Sequence, residues 1–340
     1  MPYQVDIIPA FELIGAVLNY AFRADESEDR IASSTSIKEW REKVEGKISS
    51  FLSSDIENLF RFNLPVSFLH AGVLRFKLHT PEELCEWLES KPVPAAQQLI
   101  MELSDLQGAD PAKVDEAAVK RGLEAYDSLL RTSLSEESEV VLYALNNTEA
   151  FLGRVKAVLS EFYDAFVKPD LPRALAFLEE KRREHQKLLD ERGAKFLNQI
   201  TLDNYGSLYS PEDEIRIVIS YYANRVLSLN SRHYNLIVYG FDFEQLLNSF
   251  DTAQAVDQFL KALADPKRAA IMRLLKQRQW YGKELADHFS LTTATMSYHM
   301  EKLISSRLVQ FHTAEKNRIL YSINRDGVEE MLRLVREDFL

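Results

Sequence analysis

Apolar positions recur at helical spacing through most of the first 250 residues. One stripe runs from Trp40 to Leu52 within residues 34–62, and another occupies residues 10–22. Residues 80–83, TPEE, are typical of a helix start, because a hydroxyl caps the helix, proline fits its first turn and acids favour its positive end. These patterns predict a mainly helical N-terminal region.

The pattern changes to β-type sequence after residue 214. Residues 215–222, 225–229 and 234–241 are rich in Ile, Val, Tyr and Leu and are separated by polar turns. Such segments favour strands, and their close succession predicts a small β meander. Together with the helices they predict an α+β, mainly helical fold.

A second change follows the polar stretch NSFDTAQ at residues 248–254. Apolar spacing predicts short helices over residues 256–263, 267–277 and 282–289, and a four-residue connection then leads into LTTATMSYHMEKL, residues 291–303. Two short helices joined by a tight turn form the helix-turn-helix pattern.

The residues that follow predict a wing. Residues 308–313 and 319–324 alternate as strands around a polar turn, and a last helix covers residues 326–339. We therefore predict a winged helix-turn-helix domain at 251–340. Residues 1–250 form a separate N-terminal domain of unknown type, with a subdivision considered near residue 205.

The C-terminal segment resembles the ArsR-type bacterial repressors. The resemblance lies in ALADPKRAAIMRLL, KELADHFSLTTATMSYHMEKLISSRLV and KNRILYSIN, which carry that family's L-x-D-P-x-R opening, S-x-H-[LM] recognition helix and wing strand. It covers about the last quarter of the chain and says nothing of residues 1–250. It implies a transcriptional regulator, a repressor by analogy, that binds an operator in double-stranded DNA.

The resemblance also raises the question of metal sensing. Metal-sensing relatives carry two cysteines in the helix before recognition, where soft or borderline metals prefer thiolates. Tyr281 and Lys283 occupy those positions here, and the last helix has no histidine for the alternative zinc site. We expect neither a metal nor another cofactor.

Net charge bears on DNA binding because Lys and Arg supply the attraction to phosphate. The whole chain has a formal charge of -11. Residues 251–325, however, contain 12 basic and 7 acidic residues, which leaves -16 for the rest. A mildly basic segment is thus attached to an acidic body.

Composition predicts a cytoplasmic protein. A single cysteine, Cys85, allows no internal disulfide, which suits a reducing compartment. The apolar start is interrupted by Asp6 and Glu12 and lacks the basic residues of a signal peptide. No stretch reaches the length of a membrane helix, so we expect no membrane association.

Helical spacing divides the predicted recognition helix into two faces. Met296, Met300 and Leu303 fall on the buried face, and Ser297 and Tyr298 are our candidates for contact with base edges. His299 lies beside the buried residues, so a packed and hydrogen-bonded ring is favoured over a DNA contact or a proton-sensitive group. The full set of predicted DNA-binding residues is Thr292, Thr293, Ala294, Ser297, Tyr298, Lys302, Lys316, Asn317, Arg318, Lys267, Arg268 and Lys283.

Several of these residues have alternative explanations. The threonines suit phosphate at a helix start, but simple capping is the competing interpretation. Lys316, Asn317 and Arg318 form the polar tip of the wing, which is either a DNA contact or a solvent-exposed turn.

A single recognition helix reads few base pairs, so such proteins commonly bind as dimers to two half-sites. This predicts a homodimer on a palindromic operator. An apolar stripe on the last helix is the proposed two-fold interface, although it would serve equally well in the core. It comprises Val328, Met331, Leu332 and Val335.

Residues 1–250 contain no phosphate-binding loop, nucleophile elbow or metal-ligand spacing. We expect no enzyme activity. The leading hypothesis is a regulatory or dimerising domain with a small-molecule effector, whose occupancy changes DNA affinity. An enzyme domain fused to a DNA-binding domain and a structural domain for a protein partner remain as alternatives.

Overall fold

A computed structural model gives the fold and describes residues 3–22, 35–90, 92–124, 132–201, 214–223, 227–230, 235–241, 252–313 and 319–340. The chain divides into two compact units. The first unit draws on residues 1–123, 134–191 and 214–242, and the second on residues 124–133, 192–213 and 243–340. In the part of the chain that the structure describes, no helix is long and apolar enough to cross a membrane.

The first unit is mainly helical, as predicted. Its helices are α1 (Pro9–Ala21), α2 (Thr35–Glu45), α3 (Ser50–Phe60), α4 (Asn63–Phe76), α5 (Pro81–Glu89), α6 (Val93–Leu103), α7 (Glu116–Leu123), α8 (Leu134–Asn146), α9 (Thr148–Phe162) and α10 (Leu171–Arg192). A 3-10 turn at Pro111–Lys113 precedes α7, and a π-helical turn at Tyr163–Val167 follows α9.

Local sequence explains several of these helix ends. The helix start predicted at Thr80 is confirmed, because the Thr80 hydroxyl accepts from the Glu83 N–H at 3.1 Å and the Glu83 carboxylate accepts from the Thr80 N–H at 3.3 Å. The stripe in residues 34–62 belongs to two helices rather than one. Ser49 begins the second of them, since its hydroxyl accepts from the Leu52 N–H at 3.1 Å.

Helix α1 lies in the core of the first unit. It packs against α3, α4, α5 and α9, and Phe11, Leu13, Ile14 and Val17 are almost completely buried. A helix surrounded by other elements needs apolar residues on nearly every side. This position accounts for the apolar start of the sequence.

The sheet of the first unit corrects the predicted β meander. Its strands are β1 (Val5–Asp6), β2 (Ile215–Ser220), β3 (Leu227–Asn230) and β4 (Asn235–Gly240), in the order β1-β2-β4-β3. A meander would place β3 between its neighbours, whereas β2 and β4 pair in parallel and β3 pairs antiparallel at the edge. Both β2 and β4 bury nearly every residue, as central parallel strands do.

The second unit has the predicted winged arrangement. Its elements are α11 (Ala194–Ile200), α12 (Thr252–Ala264), α13 (Pro266–Leu275), β5 (Trp280–Tyr281), α14 (Gly282–Phe289), α15 (Thr293–Ser305), β6 (Val309–Thr313), β7 (Ile319–Ile323) and α16 (Arg325–Phe339). Strands β6 and β7 form the expected hairpin, and the two-residue β5 joins it in the order β5-β7-β6. A strand of two residues leaves no pattern in the sequence, so β5 was not predicted.

Candidate nucleic-acid interface

The turn between α14 and α15 is fixed by backbone bonds and a cap. Ser290 ends α14 in the left-handed conformation with φ 53°, and the Leu291 N–H donates to the Ala286 carbonyl at 2.9 Å. Thr292 then begins α15, because its hydroxyl accepts from the Thr295 N–H at 3.1 Å. The helix-turn-helix geometry thus follows from residues in the turn itself.

The buried face of α15 is the one predicted from spacing. Met296 and Met300 are each 1% exposed and Leu303 is fully buried. They share one apolar cluster with Ile271 of α13 and Leu285 of α14. Because three helices meet in this cluster, it holds α15 in a fixed orientation.

The opposite face of α15 presents Tyr298. Its side chain is 54% exposed, and the Lys302 Nζ lies 5.8 Å from the centre of its ring. Ser297, Thr293 and Lys302 are half-buried on the same helix. An aromatic ring this exposed on a recognition helix is free of any core role, so it is suited to contact a base or a sugar.

Thr292 has the structural role that we gave as its alternative. Its hydroxyl caps the helix and lies 2.9 Å from the hydroxyl of Thr295. Thr295 is exposed in the first turn of α15 and was absent from the predicted set. Residue Ala294 lies in α15 as predicted, but its side chain is outside the described part of the structure.

The basic residues of α13 and α14 separate into two groups. Lys267 and Lys283 are exposed, as a phosphate contact requires. Arg268 is a correction: its Nε donates to the Ala262 carbonyl at 2.7 Å and its Nη2 to the Lys261 carbonyl at 2.9 Å. Its guanidinium binds the end of α12, so we remove Arg268 from the predicted DNA contacts.

The wing hairpin pairs as an antiparallel ladder from Val309 with Ile323 to Thr313 with Ile319. Its tip, with the predicted contacts Lys316, Asn317 and Arg318, lies outside the described residues. Their role therefore stays a prediction.

His299 is packed, as favoured from the sequence, but it is not fully hydrogen-bonded. The residue is 7% exposed, and its buried Nδ1 has no hydrogen-bond partner among the described residues. Burial lowers the pKa of the ring from its ordinary value.

Comparison with known proteins places this geometry in a family. A family model described as a helix-turn-helix domain matches residues 263–310. The transcriptional repressor SmtB homolog of Synechocystis is 30% identical over 89 residues, covering 26% of this chain and 67% of the relative. The chain belongs to the ArsR-type family of DNA-binding transcriptional regulators.

Two further relatives extend the likeness. The arsenical resistance operon repressor of Staphylococcus xylosus is 35% identical over 72 residues, which are 21% of this chain and 66% of that repressor. The transcriptional repressor SdpR of Bacillus subtilis is 27% identical over 86 residues, or 24% of this chain and 94% of SdpR. The matches thus span about two thirds of the length of the first two relatives. They cover about a quarter of this chain.

The metal-ligand positions of the ArsR-type helix carry other side chains in this structure. Tyr281 precedes α14, and its N–H donates to the Glu284 carboxylate at 3.1 Å. Lys283 is exposed in the first turn of that helix. Within the described ranges, no three His, Cys, Asp or Glu residues are grouped so as to hold a metal ion.

The stripe predicted as a dimer interface is divided in the ArsR-type domain. Met331 is 5% exposed and belongs to the apolar cluster, and Val328 and Val335 pack partly against it. Leu332 is 54% exposed, and Leu260 on the neighbouring α12 is 41% exposed. Met331 therefore lies in the core, as the alternative stated, and Leu332 lies at the surface, where the dimer interface stays a prediction.

Proposed function

We propose that the chain is a sequence-specific transcriptional repressor that binds a palindromic operator as a homodimer. The observation that carries this proposal is the division of α15, where Met296 and Met300 anchor the helix and Tyr298 is left exposed on the other side. Ser297 and Tyr298 contact base edges. Lys267, Lys283 and Lys302, together with the wing tip, supply attraction to phosphate.

The proposed dimer forms through α12 and α16. These helices pack against each other, and Leu260 and Leu332 are large apolar residues exposed on them. Burying such side chains against a second copy removes them from water and stabilises the pair. Leu332→Ser is expected to shift the protein towards monomer in analytical ultracentrifugation, while Met331 stays in the core and keeps the domain folded.

The proposed role of residues 1–250 is that of a regulatory domain without enzyme activity, with residues 251–340 as the DNA-binding domain. The first unit contains a cavity of about 360 Å³ lined by residues that include Gln97, Gln98, Glu102 and Gln107. That volume is in the range of small-molecule sites. The side-chain N–H groups of Gln97, Gln98 and Gln107 donate to oxygens of Leu145 and Glu102, and most of the lining surface is apolar. The cavity supports a small-molecule effector whose binding changes DNA affinity.

Selection of genomic DNA fragments by the purified protein, followed by footprinting, tests the repressor proposal. We expect one palindromic sequence to be enriched over random DNA at moderate salt. No enrichment would show that the chain is not a sequence-specific regulator.

Variants at position 298 then test the role of the recognition helix. Tyr298→Ala is expected to weaken operator binding by about 1–3 kcal/mol, the usual value of a good base contact. Tyr298→Phe is the matched control that separates ring contact from hydroxyl contact. Binding to random DNA should change little, because phosphate contacts dominate it.

Effector binding requires its own experiment. Metabolites that raise the melting temperature are to be added to the protein–operator complex, and operator release or tightening is measured. Binding without turnover supports the sensor. Steady consumption of a bound metabolite would instead show an enzyme.

A further inference from the structure

His299 lies at the junction between the recognition helix and the start of α13. Its ring is next along the helix to the exposed Tyr298, and the two ring centres are 5.8 Å apart. The Nδ1 atom is buried without a hydrogen-bond partner among the described residues. A buried ring nitrogen without a hydrogen-bond partner costs free energy. This position therefore restricts the protonation states that the His299 ring can adopt.

The charged groups that interact with the ring come from the start of α13. They are Asp265 before the helix and Lys267 and Arg268 in its first turn. Asp265 favours a charged imidazole, whereas the two cations and burial oppose it. The pKa of Asp265 is itself held below its usual value, mainly by the Arg268 N–H, so this carboxylate stays ionised.

The same residues join α12 to α13. The Asp265 carboxylate accepts from the Arg268 N–H at 2.9 Å, and the Arg268 side chain donates to the carbonyls of Ala262 and Lys261. His299 therefore interacts electrostatically with the residues that join α12 to α13. A change in the charge of the ring acts on Asp265 and so on the cap of α13.

We propose that His299 is a positioning residue that holds the recognition helix against the α12–α13 junction only while its ring is neutral, so that specific DNA affinity falls in acid. A protonated ring carries an N–H on Nδ1, and no described residue offers an acceptor there. The charged ring leaves its buried position and displaces the adjacent Tyr298 from its place on the operator. The inference rests on the proposed function, since it concerns the affinity for the operator.

The sign of the effect follows from the direction of the pKa. The seated ring has a pKa below its ordinary value of 6.5, so acid favours the displaced ring. Specific affinity is therefore complete above about pH 6.5 and is lost as the pH falls below it. One pH unit lower the loss is at most about tenfold, because the displaced ring takes up the proton at its ordinary pKa and protonation of the seated ring reduces the effect.

The test is the dissociation constant for the selected operator and for random DNA between about pH 8 and pH 5.5 at constant ionic strength. The wild-type protein should lose operator affinity progressively below about pH 6.5, by up to about tenfold at about pH 5.5, with no parallel loss on random DNA. His299→Gln, which does not titrate, should bind the operator with no such dependence. His288→Gln is the matched control, since His288 is an exposed histidine on α14, and it should keep the wild-type dependence.

Three outcomes overturn the inference: a wild-type profile without pH dependence, the same dependence in His299→Gln, or an equal loss on random DNA. If His299→Gln does not fold, the NMR titration of the His299 ring in wild-type protein replaces it. That titration must follow the change in operator affinity. Failure to find any operator at neutral pH refutes the proposed function instead, so the two failures are distinguishable.

Discussion

The unfolding free energy of a Glu12→Gln variant, relative to that of the wild type, is expected to rise with pH. Glu12 lies on α1 with no exposed surface. Its Oε2 accepts from the Tyr221 N–H at 2.9 Å, the Tyr222 N–H at 3.3 Å and the Ser220 hydroxyl at 3.2 Å. Burial outweighs these bonds and raises the pKa of the carboxyl from 4.5 to about 8.

The size of the change in stability follows from the difference between the pKa of Glu12 in the folded chain and in the unfolded chain. In the unfolded chain the carboxyl loses its proton near its ordinary pKa, whereas the folded chain holds the proton until about pH 8. The unfolding free energy of the wild type therefore falls as the pH rises from about 4.5 to about 8, and it changes no further above about pH 8. Each pH unit well inside the window costs about 1.4 kcal/mol, which gives a loss of about 3 kcal/mol between pH 5 and pH 7.5.

Glutamine keeps an oxygen for the three donors but does not titrate. The difference in unfolding free energy between Glu12→Gln and wild type should therefore rise by about 3 kcal/mol over the same range. Urea unfolding followed by tryptophan fluorescence measures it. A Trp280→Phe background leaves Trp40 and Trp87, both in the first unit, as the only tryptophans.

Glu39→Gln is the matched control, because Glu39 is exposed on α2. This variant removes one carboxylate at the surface, so it measures the effect of the lost charge without changing the buried site. A difference between Glu12→Gln and wild type that stays constant from pH 5 to pH 7.5 would refute the reasoning about the buried carboxyl.

Three further substitutions test the packing of the DNA-binding domain by thermal or urea unfolding. Met296→Ala should cost about 2–5 kcal/mol of stability because it opens a cavity in the core, and an unchanged midpoint would place Met296 at the surface. Thr292→Ala removes a helix cap and should cost about 1 kcal/mol; no loss would mean that water replaces the hydroxyl. Gly327→Ala puts a Cβ 2.2 Å from the Arg307 carbonyl oxygen, so a backbone shift costing about 1–3 kcal/mol is expected, and an equally stable variant would contradict this close approach.

The helical part of the fold was largely predictable. Spacing placed Met296, Met300 and Leu303 on one buried face, because a helix repeats its sides every 3.6 residues whatever surrounds it. The wing hairpin was predictable for the same reason, since alternation and a polar turn are local signals. The role of Arg268 was not, because its partners are carbonyls at the end of another helix.

The strand order in the sheet of the first unit could not be predicted either, because it depends on contacts between distant parts of the sequence. The apolar runs in β2 and β4 predicted strands, but a strand sequence does not say which strand lies beside it. A near-continuous apolar run, rather than alternation, was the available sign that these strands are buried on both sides and pair in parallel.

By itself the sequence determined the positions of most helices, the winged helix-turn-helix order, the two faces of the recognition helix and the family to which the chain belongs. These depend on periodicity, caps and motifs, which act between residues close together in the chain. Only the tertiary structure decided that Glu12 is a buried acid, that Arg268 binds a helix end and that the His299 ring interacts electrostatically with Asp265. Burial and charge pairing depend on elements that are distant in sequence, so the properties of these three side chains arise only when the chain is folded.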